Sequence, residues 1–311
     1  MEQKMEQRRS GTGPDYGVGV DIGGTKIWIH VADADGRVVC KRKVATSNKP
    51  EEITRLVMET LSQASIPMER VAAIGFGVPG IADTRNGIVI DAPALEWSNF
   101  PFVTVMSRYF NKPVFVDNDV NCAALGERWT GSAQTLNDFV FLAIGTGVGS
   151  AIVANGSLIY GSHYMAGEIA YMVLDDDVLA GQSNAFGRFG LYENRISGTA
   201  LSRHGYSSDQ LFSRSRDGDE KARQIVSRFV ADLAIGISNI ASLLNPQKVI
   251  LGGGVSQSLP QHMDAIRSLV ARLTPVPVII ELSGLGEQAG AMGAAAIAFE
   301  RVGLLKGIGA S

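Results

Sequence analysis

The chain has 311 residues, of which 45% are hydrophobic and 19% charged, and a formal net charge of −3. The length predicts two domains or one large one, and the acidic balance leaves no electrostatic signature of nucleic-acid binding. No apolar run reaches the ~18 residues of a membrane span, so we expect no membrane partner. The two cysteines, Cys40 and Cys122, exclude a disulfide scaffold and indicate a cytoplasmic protein.

Residues 1–16 are polar and charged and contain no apolar signal segment, so they are predicted to form a disordered tail. A hairpin of buried strands is predicted over residues 17–31. Its turn consists of small residues, and glycine leaves room there for backbone N–H groups to close around a phosphate. The turn residues predicted to contact a nucleotide are Gly23, Gly24, Thr25 and Lys26.

Asp21 directly precedes this turn and would repel a phosphate unless a cation lay between them. We therefore expect Asp21 to hold Mg²⁺, through a water molecule because Mg²⁺ loses its waters reluctantly. A plain tight hairpin is the alternative for this segment taken alone, since short glycine motifs are common.

Three predicted elements follow the hairpin. Apolar residues at helical spacing predict a helix over residues 51–65, and an apolar run predicts a strand over residues 71–77. That strand leads to Gly80, where the chain must change direction. A further short strand is predicted over residues 114–116.

The acidic motif Asp117-Asn118-Asp119 lies between this last strand and a helix predicted over residues 120–128. A carboxylate at a helix N-terminus is favoured in its ionised form, and phosphoryl transfer to an alcohol requires a base in that form. Capping alone would need one of the three side chains. We therefore predict that Asp119 is catalytic and keep a capping role as the alternative.

The strand–turn–strand pattern occurs a second time, with strands predicted over residues 139–144 and 150–153. A third glycine run follows a strand predicted over residues 249–251, and it lets a flat adenine or a ribose approach bare backbone. The residues of these two runs predicted to contact the nucleotide are Gly145, Thr146, Gly147, Gly253 and Gly254.

Two carboxylates in the second half of the chain are candidate sugar ligands. Glu168 precedes a segment over residues 175–195 that we interpret as a long ordered loop, and Glu193 lies near its end. Paired carboxylates at the edge of a cleft suit the hydroxyls of a sugar, whereas solvated acidic side chains are the alternative. His163 is a weaker candidate, because a lone histidine is often a satisfied loop residue.

Strands that alternate with helices predict an α/β protein. Two long helices, over residues 220–244 and 290–301, complete this pattern. The duplicated strand–turn–strand unit predicts two related lobes with a cleft between them. We place a small lobe at residues 17–131, joined by a C-terminal helix within residues 290–306, and a large lobe at residues 132–289.

In their order and spacing these motifs resemble the ROK sugar kinases, within the hexokinase–actin–chaperone ATPase superfold. The resemblance spans nearly all of residues 17–300. It implies a two-lobed actin-like ATPase (ribonuclease H-like) fold, ATP and Mg²⁺ as cofactors, and a glucokinase-like activity. The motifs that carry it are residues 21–26, 77–80, 117–121, 145–149, 161–163, 166–169, and 245–246 followed by 252–254.

The resemblance implies that Asp119 takes the proton from the 6-hydroxyl of the sugar, and it also implies a homodimer. Family members that act as repressors carry an N-terminal helix-turn-helix, and the first strand near residue 17 leaves no space for one, which favours the kinase branch. The residues implied to bind substrate are Asn118, Glu168, Glu193, Tyr171, Gly80 and His163.

The chain departs from the family at a structural zinc site built from one histidine and three cysteines. The four ligand positions hold Tyr171, Asn184, Phe186 and Leu191. Because all four ligands are missing, we expect no zinc, and we expect Phe186, Leu191 and Tyr171 to form an apolar cluster instead. The family's histidine also borders the sugar, so Tyr171 changes the surface that recognises it.

The sequence thus predicts ATP-dependent phosphorylation of a hexose-type sugar, with glucose as the leading substrate and an amino sugar, another hexose or a cyclitol as alternatives. Two other functions stay open at this point. One is a degenerate ATP- and sugar-binding regulator, against which the retained Asp119 argues. The other is a DNA-linked sugar sensor, against which the net negative charge argues.

Overall fold

The computed structural model describes residues 15–309, which divide into two compact units. The described parts of unit 1 are residues 15–135, 156–158 and 288–309, and unit 2 consists of residues 136–155 and 159–287. The predicted tail lies outside the described residues up to residue 14. The prediction is wrong for its last two residues, because the Asp15 N–H donates to the Arg70 carbonyl and Tyr16 begins the first strand.

Unit 1 contains a mixed five-stranded sheet and a small antiparallel sheet. Its strands are β1 (Tyr16–Ile22), β2 (Lys26–Asp33), β3 (Val38–Ala45), β4 (Val71–Val78), β5 (Ile81–Asp83), β6 (Ile88–Ala92), β7 (Trp97–Phe100) and β8 (Val114–Asn118). The large sheet has the order β3-β2-β1-β4-β8, and the small sheet the order β5-β6-β7. The central strands β1 and β4 are buried almost throughout, as their continuous apolar runs predict.

Within residues 15–135 the structure shows three α-helices of unit 1: α1 (Pro50–Gln63), α2 (Phe102–Phe110) and α3 (Asp119–Thr130). The predicted helix over residues 51–65 is confirmed as α1, whose apolar positions Ile53, Val57 and Leu61 are buried. It begins at Pro50 because proline suits the first turn, where its missing N–H would have no partner in the helix.

Unit 2 is built on a second sheet. Its strands are β9 (Phe139–Ile144), β10 (Val148–Ala154), β12 (Lys248–Gly252) and β13 (Ile279–Leu282), in the order β10-β9-β12-β13; the two-residue strand β11 (Ser157–Leu158) belongs to the segment 156–158 of unit 1. β9 is antiparallel to β10 and parallel to β12, just as β1 is antiparallel to β2 and parallel to β4. The predicted duplication of the strand–turn–strand unit is therefore confirmed.

The helices of unit 2 are α4 (Asp175–Leu179), α5 (Glu193–Ile196), α6 (Gly198–Ser202), α7 (Ser208–Arg216), α8 (Glu220–Leu244) and α9 (Met263–Leu273). The prediction of a loop over residues 175–195 is wrong at both ends, where α4 and α5 form. Three aspartates occupy the first turn of α4 and are favoured there by the helix dipole. One of them, Asp177, accepts a hydrogen bond from the Leu174 N–H at 2.9 Å.

α8 has the bounds that the sequence predicts. The Asp219 side chain caps its start by accepting from the Ala222 N–H, and Asn245 ends it in the left-handed conformation at φ 46°. This helix is long and apolar enough to cross a membrane by length and composition, but 61% of its most apolar window is buried inside the structure. Its apolar face packs in the core of unit 2, which is the situation of a core helix.

The last described helix, α10 (Ala289–Arg301), packs backbone to backbone in unit 1. A Cβ placed on Gly19 of β1 would lie 1.9 Å from the Ala291 carbonyl oxygen, and one on Gly293 would lie 1.6 Å from the Cys122 carbonyl oxygen. Both positions therefore require glycine. This close approach brings the first turn of α10 next to Asp21.

Candidate active site

The start of α3 shows how the acidic motif is used. Asn118 is the N-cap, since its Oδ1 accepts hydrogen bonds from the N–H groups of Val120 at 2.8 Å and Asn121 at 3.1 Å. Its Nδ2 donates to the Gly80 carbonyl at 2.8 Å. Both lone pairs of the amide oxygen are thus used, and the second N–H of the amide could still bind a sugar hydroxyl. This is a narrower role than the sequence predicts for Asn118.

Asp117 and Asp119 differ in their surroundings. Asp117 is buried, and its Oδ1 accepts from the Asn118 N–H at 2.7 Å and from the Asn121 side chain at 2.8 Å. Asp119 is the first residue of α3, and its Oδ1 accepts from the Val120 N–H at 2.9 Å. Because Asn118 caps the helix, the capping alternative does not account for the Asp119 carboxylate.

Carboxylates are concentrated around the buried thiol of Cys122. Burial, and then the charge of Asp119, raise the pKa of Asp21 well above its usual range. Burial also raises the pKa of the Cys122 thiol, with further contributions from Asp117, Asp21 and Asp119. Asp21 faces the first turn of α10, where a Cβ on Gly290 would lie 2.4 Å from its Oδ2. Negative charge is therefore gathered where a cation would be stabilised.

This donor set fits Mg²⁺. Proteins usually hold that ion with one or two carboxylates plus substrate phosphates, and the ion keeps several waters. Asp21 offers such a carboxylate, and a cation would relieve its repulsion from Asp119. Within residues 15–309 no group of three or more histidine, cysteine, aspartate or glutamate side chains could hold a metal ion. With Asp21 as a protein ligand, the ion would keep coordination positions for water and for substrate phosphates.

The first glycine turn has a fixed shape and an open surface. The Gly23 N–H donates to the Lys26 carbonyl at 2.9 Å, and the Thr46 hydroxyl donates to the Gly23 carbonyl at 2.6 Å. The Thr46 N–H in turn donates to the Thr25 carbonyl at 3.1 Å. Gly24, Thr25 and Lys26 are exposed. The turn is thus held by its carbonyl groups while these three residues are accessible to a ligand.

Gly80 lies at the change of direction that follows β4. Its φ is +94°, and a Cβ there would lie 2.1 Å from the Asp91 carbonyl oxygen, so the position requires glycine. Its carbonyl accepts the Asn118 amide. Gly80 therefore fixes the N-cap of α3, and any contact with substrate would have to run through its backbone.

The second glycine turn, between β9 and β10, is held by Glu193. The Oε1 atom of Glu193 accepts from the Val148 N–H at 2.9 Å, and Oε2 accepts from the Gly190 N–H at 3.1 Å. A Cβ on Gly147 would lie 2.3 Å from Oε1, so only glycine can pack there. The carboxylate still has lone pairs for further donors. Glu193 thus supports the predicted phosphate turn in addition to being a sugar-binding candidate.

α6 contacts the same turn. The Gly198 N–H donates to the Gly145 carbonyl at 2.7 Å, and the Thr199 hydroxyl donates to the Thr146 carbonyl at 2.8 Å. The contact of Thr199 with this turn could not be predicted from the sequence, because no local motif distinguishes Thr199 from a threonine or serine in any other short helix. The turn is therefore fixed by α5 and α6 together, which leaves its shape independent of a bound ligand.

The third glycine run lies against the end of β9. Gly253 has a φ of +83°, and a Cβ there would lie 2.4 Å from the Ile144 carbonyl oxygen, so this position also requires glycine. The Ser256 hydroxyl donates to the Gly253 carbonyl at 2.7 Å. At Gly254, by contrast, no described atom lies within 4 Å of an added Cβ. The second and third glycine runs are thus neighbours, as a single nucleotide site requires.

Unit 2 brings the two candidate sugar-binding carboxylates close together. Burial, and then the charge of Glu193, raise the pKa of Glu168. A carboxyl group with a raised pKa is more readily protonated, and its O–H can then donate to a sugar hydroxyl. His163 lies on an exposed loop, where its Nδ1 shares a hydrogen bond of 2.9 Å with the Ser162 hydroxyl.

Glu193 is anchored through its neighbour on the chain. Tyr192 is buried, and its hydroxyl donates to the Asp232 carbonyl of α8 at 2.9 Å. A Cβ on Gly236 of α8 would lie 2.0 Å from that hydroxyl oxygen, so the ring packs directly on the α8 backbone. In the sequence, this anchor is indicated only by the aromatic Tyr192 beside Glu193. The sequence does not indicate that Tyr192 contacts α8.

The family model described as ROK family matches residues 17–301 of the chain. The chain belongs to the ROK family. Its relatives include the glucokinase of Thermotoga maritima, which is 31% identical over 314 residues covering 92% of this chain and 98% of that protein. The N-acetyl-D-glucosamine kinase of Citrobacter koseri is 31% identical over 294 residues, covering 89% of this chain and 97% of that protein.

A solved ROK structure has the same fold. The ROK family glucokinase from Streptomyces griseus, in complex with glucose and AMPPNP, has a TM-score of 0.76 at 28% identity, covering 92% of this chain and 99% of that one. The predicted family and the two-lobed actin-like ATPase fold are therefore confirmed. With these kinases as relatives, the protein is a sugar kinase of the ROK family.

Four positions of this chain correspond, by the resemblance to ROK kinases, to the ligands of a structural zinc site. Their side chains do not pack together as we expected. Leu191 is buried, but Phe186 is 66% exposed, so the predicted apolar cluster of Phe186, Leu191 and Tyr171 is wrong. The physical reason is a polar link. The Asn184 side chain donates to the Tyr171 carbonyl at 2.7 Å and accepts from the Leu191 N–H at 2.8 Å. The absence of zinc stays a prediction.

Proposed function

We propose that this ROK kinase transfers the γ-phosphoryl group of ATP to the 6-hydroxyl of a hexose-type sugar, with Asp119 as the general base. One observation carries the proposal: Asn118 caps α3, so the Asp119 carboxylate stands at the helix start without being needed for the cap. The helix dipole favours the ionised form that a base requires.

The sugar hydroxyl loses its proton to the Asp119 carboxylate as its oxygen attacks the γ-phosphorus, the bond from that phosphorus to the β,γ-bridging oxygen breaks, and ADP leaves. Asp21 would hold Mg²⁺, which neutralises charge on the phosphate oxygens when it is bound. Asp21 is suited to that role by its position beside Asp119, where burial and repulsion disfavour an uncompensated negative charge. The two carboxylates thus divide the work between proton transfer and cation binding.

Backbone N–H groups would bind the phosphates. In the first turn residues 24–26 are accessible, and in the second turn the shape is set by Glu193 and Thr199. The bare backbone at Gly253 and Gly254 would accept the ribose or adenine. AMPPNP is an analogue of ATP, and its presence in the Streptomyces griseus glucokinase supports ATP as the donor.

Glu168 and Glu193 would bind the remaining sugar hydroxyls, with Asn118 contributing an N–H of its side-chain amide. Tyr171 lies three residues from Glu168, at the end of the same short 3₁₀ segment, and would contact the sugar as well. The relatives are named for glucose and for N-acetyl-D-glucosamine. We infer glucose as the leading substrate, with an amino sugar as the alternative. The cytoplasm stays the inferred compartment, since both cysteines are free thiols.

A coupled ADP-release assay with Mg·ATP against hexoses, amino sugars and cyclitols tests this proposal. We expect turnover on one sugar class, and ³¹P NMR of the product should show a phosphate ester at the 6-position. A product phosphorylated elsewhere would contradict the assigned hydroxyl. Binding of ATP and sugar without turnover on any member of the panel would instead support the catalytically degenerate regulator.

A further inference from the structure

Asn184 lies in the most exposed segment of unit 2. Among the ten residues from Ala180 to Phe189, Asn184 alone is half-buried, and the other nine are exposed to solvent. The segment contains Phe186, which is 66% exposed. Since an exposed segment gains little from apolar burial, a polar anchor has correspondingly more influence on its position.

The Asn184 amide joins two backbone segments. Nδ2 donates to the Tyr171 carbonyl at 2.7 Å, and Oδ1 accepts from the Leu191 N–H at 2.8 Å. Both distances are those of well-formed hydrogen bonds. A planar amide that donates on one side and accepts on the other fixes the separation of the two groups that it bridges.

These two segments carry the candidate sugar-binding carboxylates. Tyr171 ends the 3₁₀ turn that follows Glu168, and its N–H donates to the Glu168 carbonyl at 3.2 Å. Leu191 lies two residues before Glu193. The two segments are also joined directly, because the Tyr192 N–H donates to the Ala170 carbonyl at 3.1 Å. The Asn184 bridge therefore reinforces a contact that the backbone itself makes.

The two segments are not equally well anchored. The segment that leads to Glu193 is fixed by the buried ring of Tyr192 and by the two backbone hydrogen bonds of the Glu193 carboxylate. The segment of Glu168 and Tyr171 consists of half-buried residues around the buried Ala170. Its backbone is held by the Ser150 hydroxyl, which donates to the Gly167 carbonyl at 2.7 Å, and by the Tyr192 N–H, which donates to the Ala170 carbonyl at 3.1 Å, and neither bond is made by Glu168 or Tyr171. Loss of the bridge should therefore displace Glu168 and Tyr171 and leave Glu193 in place.

We propose that Asn184 is a positioning residue for sugar recognition, which holds the Glu168–Tyr171 segment at a fixed distance from Glu193. This inference rests on the proposed function, since it assigns sugar binding to these carboxylates. Asn184 acts through the backbone of Tyr171 and Leu191 and needs no contact with the sugar itself.

Asn184→Ala removes the bridge and tests the role kinetically. With D-glucose, N-acetyl-D-glucosamine and Mg·ATP as probes, we expect the KM for the better sugar to rise about tenfold or more, as the loss of roughly 1.4 kcal/mol of binding would produce. The kcat and the KM for ATP should change less than about threefold, because Glu193 still holds the phosphate turn. Ser183→Ala, one residue earlier in the same exposed segment, is the matched control and should leave all three constants unchanged.

Asn184→Asp distinguishes a hydrogen-bonding role of Asn184 from a role that depends only on the volume of its side chain. The carboxyl group has the same shape as the amide, but when ionised it repels the Tyr171 carbonyl, and when protonated its O–H can donate there again. The ratio of the variant's sugar KM to the wild-type KM at the same pH should therefore stay raised between about pH 8 and pH 5.5, because an aspartate with an ordinary pKa of about 3.9 is ionised there, and should fall towards one only below about pH 5. Taking the ratio removes titrations that both proteins share, including those of Glu168 and Glu193.

Amide hydrogen exchange of peptides spanning residues 168–172 tests the bridge without any activity. We expect faster exchange in Asn184→Ala and wild-type exchange in Ser183→Ala. Wild-type sugar KM and wild-type exchange in Asn184→Ala would overturn the inference, as would a KM ratio near one for Asn184→Asp at about pH 7, where its carboxyl group is ionised. Absence of turnover by the wild-type protein would instead defeat the proposed function, and the positioning role with it, whatever the exchange result.

Discussion

The Oε1 atom of Glu193 accepts a hydrogen bond from the Val148 N–H at 2.9 Å. One carboxylate therefore touches the predicted phosphate turn and also lies near Glu168, whose pKa is raised by burial and then by the charge of Glu193. Because the second oxygen of Glu193 is bonded to the Gly190 N–H, the side chain cannot rotate without losing a bond. In the proposed function, sugar recognition and nucleotide binding therefore share a structural element of unit 2.

Glu193→Gln should raise the KM for ATP as well as the KM for the sugar. Glutamine has one acceptor oxygen, so its amide nitrogen would face either the Val148 or the Gly190 N–H and one hydrogen bond would be lost. A loss of about 1.5 kcal/mol corresponds to roughly a tenfold change in each constant. Initial-rate kinetics measure both, with Asp175→Asn, the same change on an exposed carboxylate of unit 2, as the control. An unchanged KM for ATP would show that the turn does not depend on Glu193.

Asp21→Asn should abolish most activity and yet stabilise the protein at neutral pH. The pKa of Asp21 is raised by burial and by Asp119, so folding is most favourable when Asp21 is protonated. Stability from this group is therefore present below its unfolded pKa and is lost as the pH rises through the folded pKa. The Tm of the variant in EDTA should exceed that of the wild type at about pH 8, by roughly 2–4 °C for each kcal/mol relieved.

The difference in Tm between Asp21→Asn and the wild type should shrink as the pH is lowered to about 5. Asp35→Asn, on an exposed turn, is the control and should show no such trend. A variant that is less stable than the wild type at the higher pH would mean that the Asp21 carboxylate stabilises the fold.

His30 should make the protein sensitive to acid. It is fully buried on β2, neither ring nitrogen has a hydrogen-bond partner among the described residues, and burial followed by the charge of Lys41 lowers its pKa to about 4. The unfolded chain binds a proton near pH 6.5 that the folded protein does not accept until about pH 4. The free energy of unfolding should therefore fall by ~3 kcal/mol as the pH drops through that interval.

Urea unfolding of His30→Phe at several pH values isolates this contribution. The slope of the free energy of unfolding against pH reports how many more protons the unfolded chain binds than the folded protein. Between pH 6.5 and about 4, that number should be smaller by about one in the variant than in the wild type. His204→Gln, at an exposed position, is the matched control for the replacement of a histidine. An identical slope for His30→Phe would show that His30 gains a proton in the folded state.

Gly293→Ala should destabilise unit 1 severely. A Cβ at this position would lie 1.6 Å from the Cys122 carbonyl oxygen. Because this oxygen belongs to the backbone of α3, the clash can be relieved only if α10 moves away from α3. We expect a loss of ~3 kcal/mol or more. Gly254→Ala is the control, because no described atom lies within 4 Å of its Cβ. Chemical denaturation of both variants measures the difference, and equal stabilities would disprove the close packing.

Elements with a strong local signal could be predicted from the sequence. α8 has the predicted bounds because a long apolar period begins after Asp219 and ends at Asn245 before a proline. α4 could not be predicted, because five residues are too few to show a helical period, and its stability comes from aspartates in its first turn.

The candidate site divides in the same way. The glycine turns and the Asp119 motif are contiguous in sequence, so their chemistry is visible there. The bond from Glu193 to Val148 joins residues 45 positions apart, and no local pattern reports it. The apolar cluster predicted for Phe186 is wrong because a hydrogen-bonded side chain can occupy the place of a metal ligand, and Asn184 gives no sign of its partners in the sequence.

The kcat of Asp119→Asn on the sugar that the wild type phosphorylates tests the central claim most directly. Asparagine keeps the size of the side chain and can still accept from the Val120 N–H, but it cannot take a proton at neutral pH. We expect a fall in kcat of about 10²–10⁴-fold with an unchanged Kd for ATP. A kcat within about threefold of the wild-type value, in a folded variant that binds ATP normally, would contradict the assignment of Asp119 as the general base.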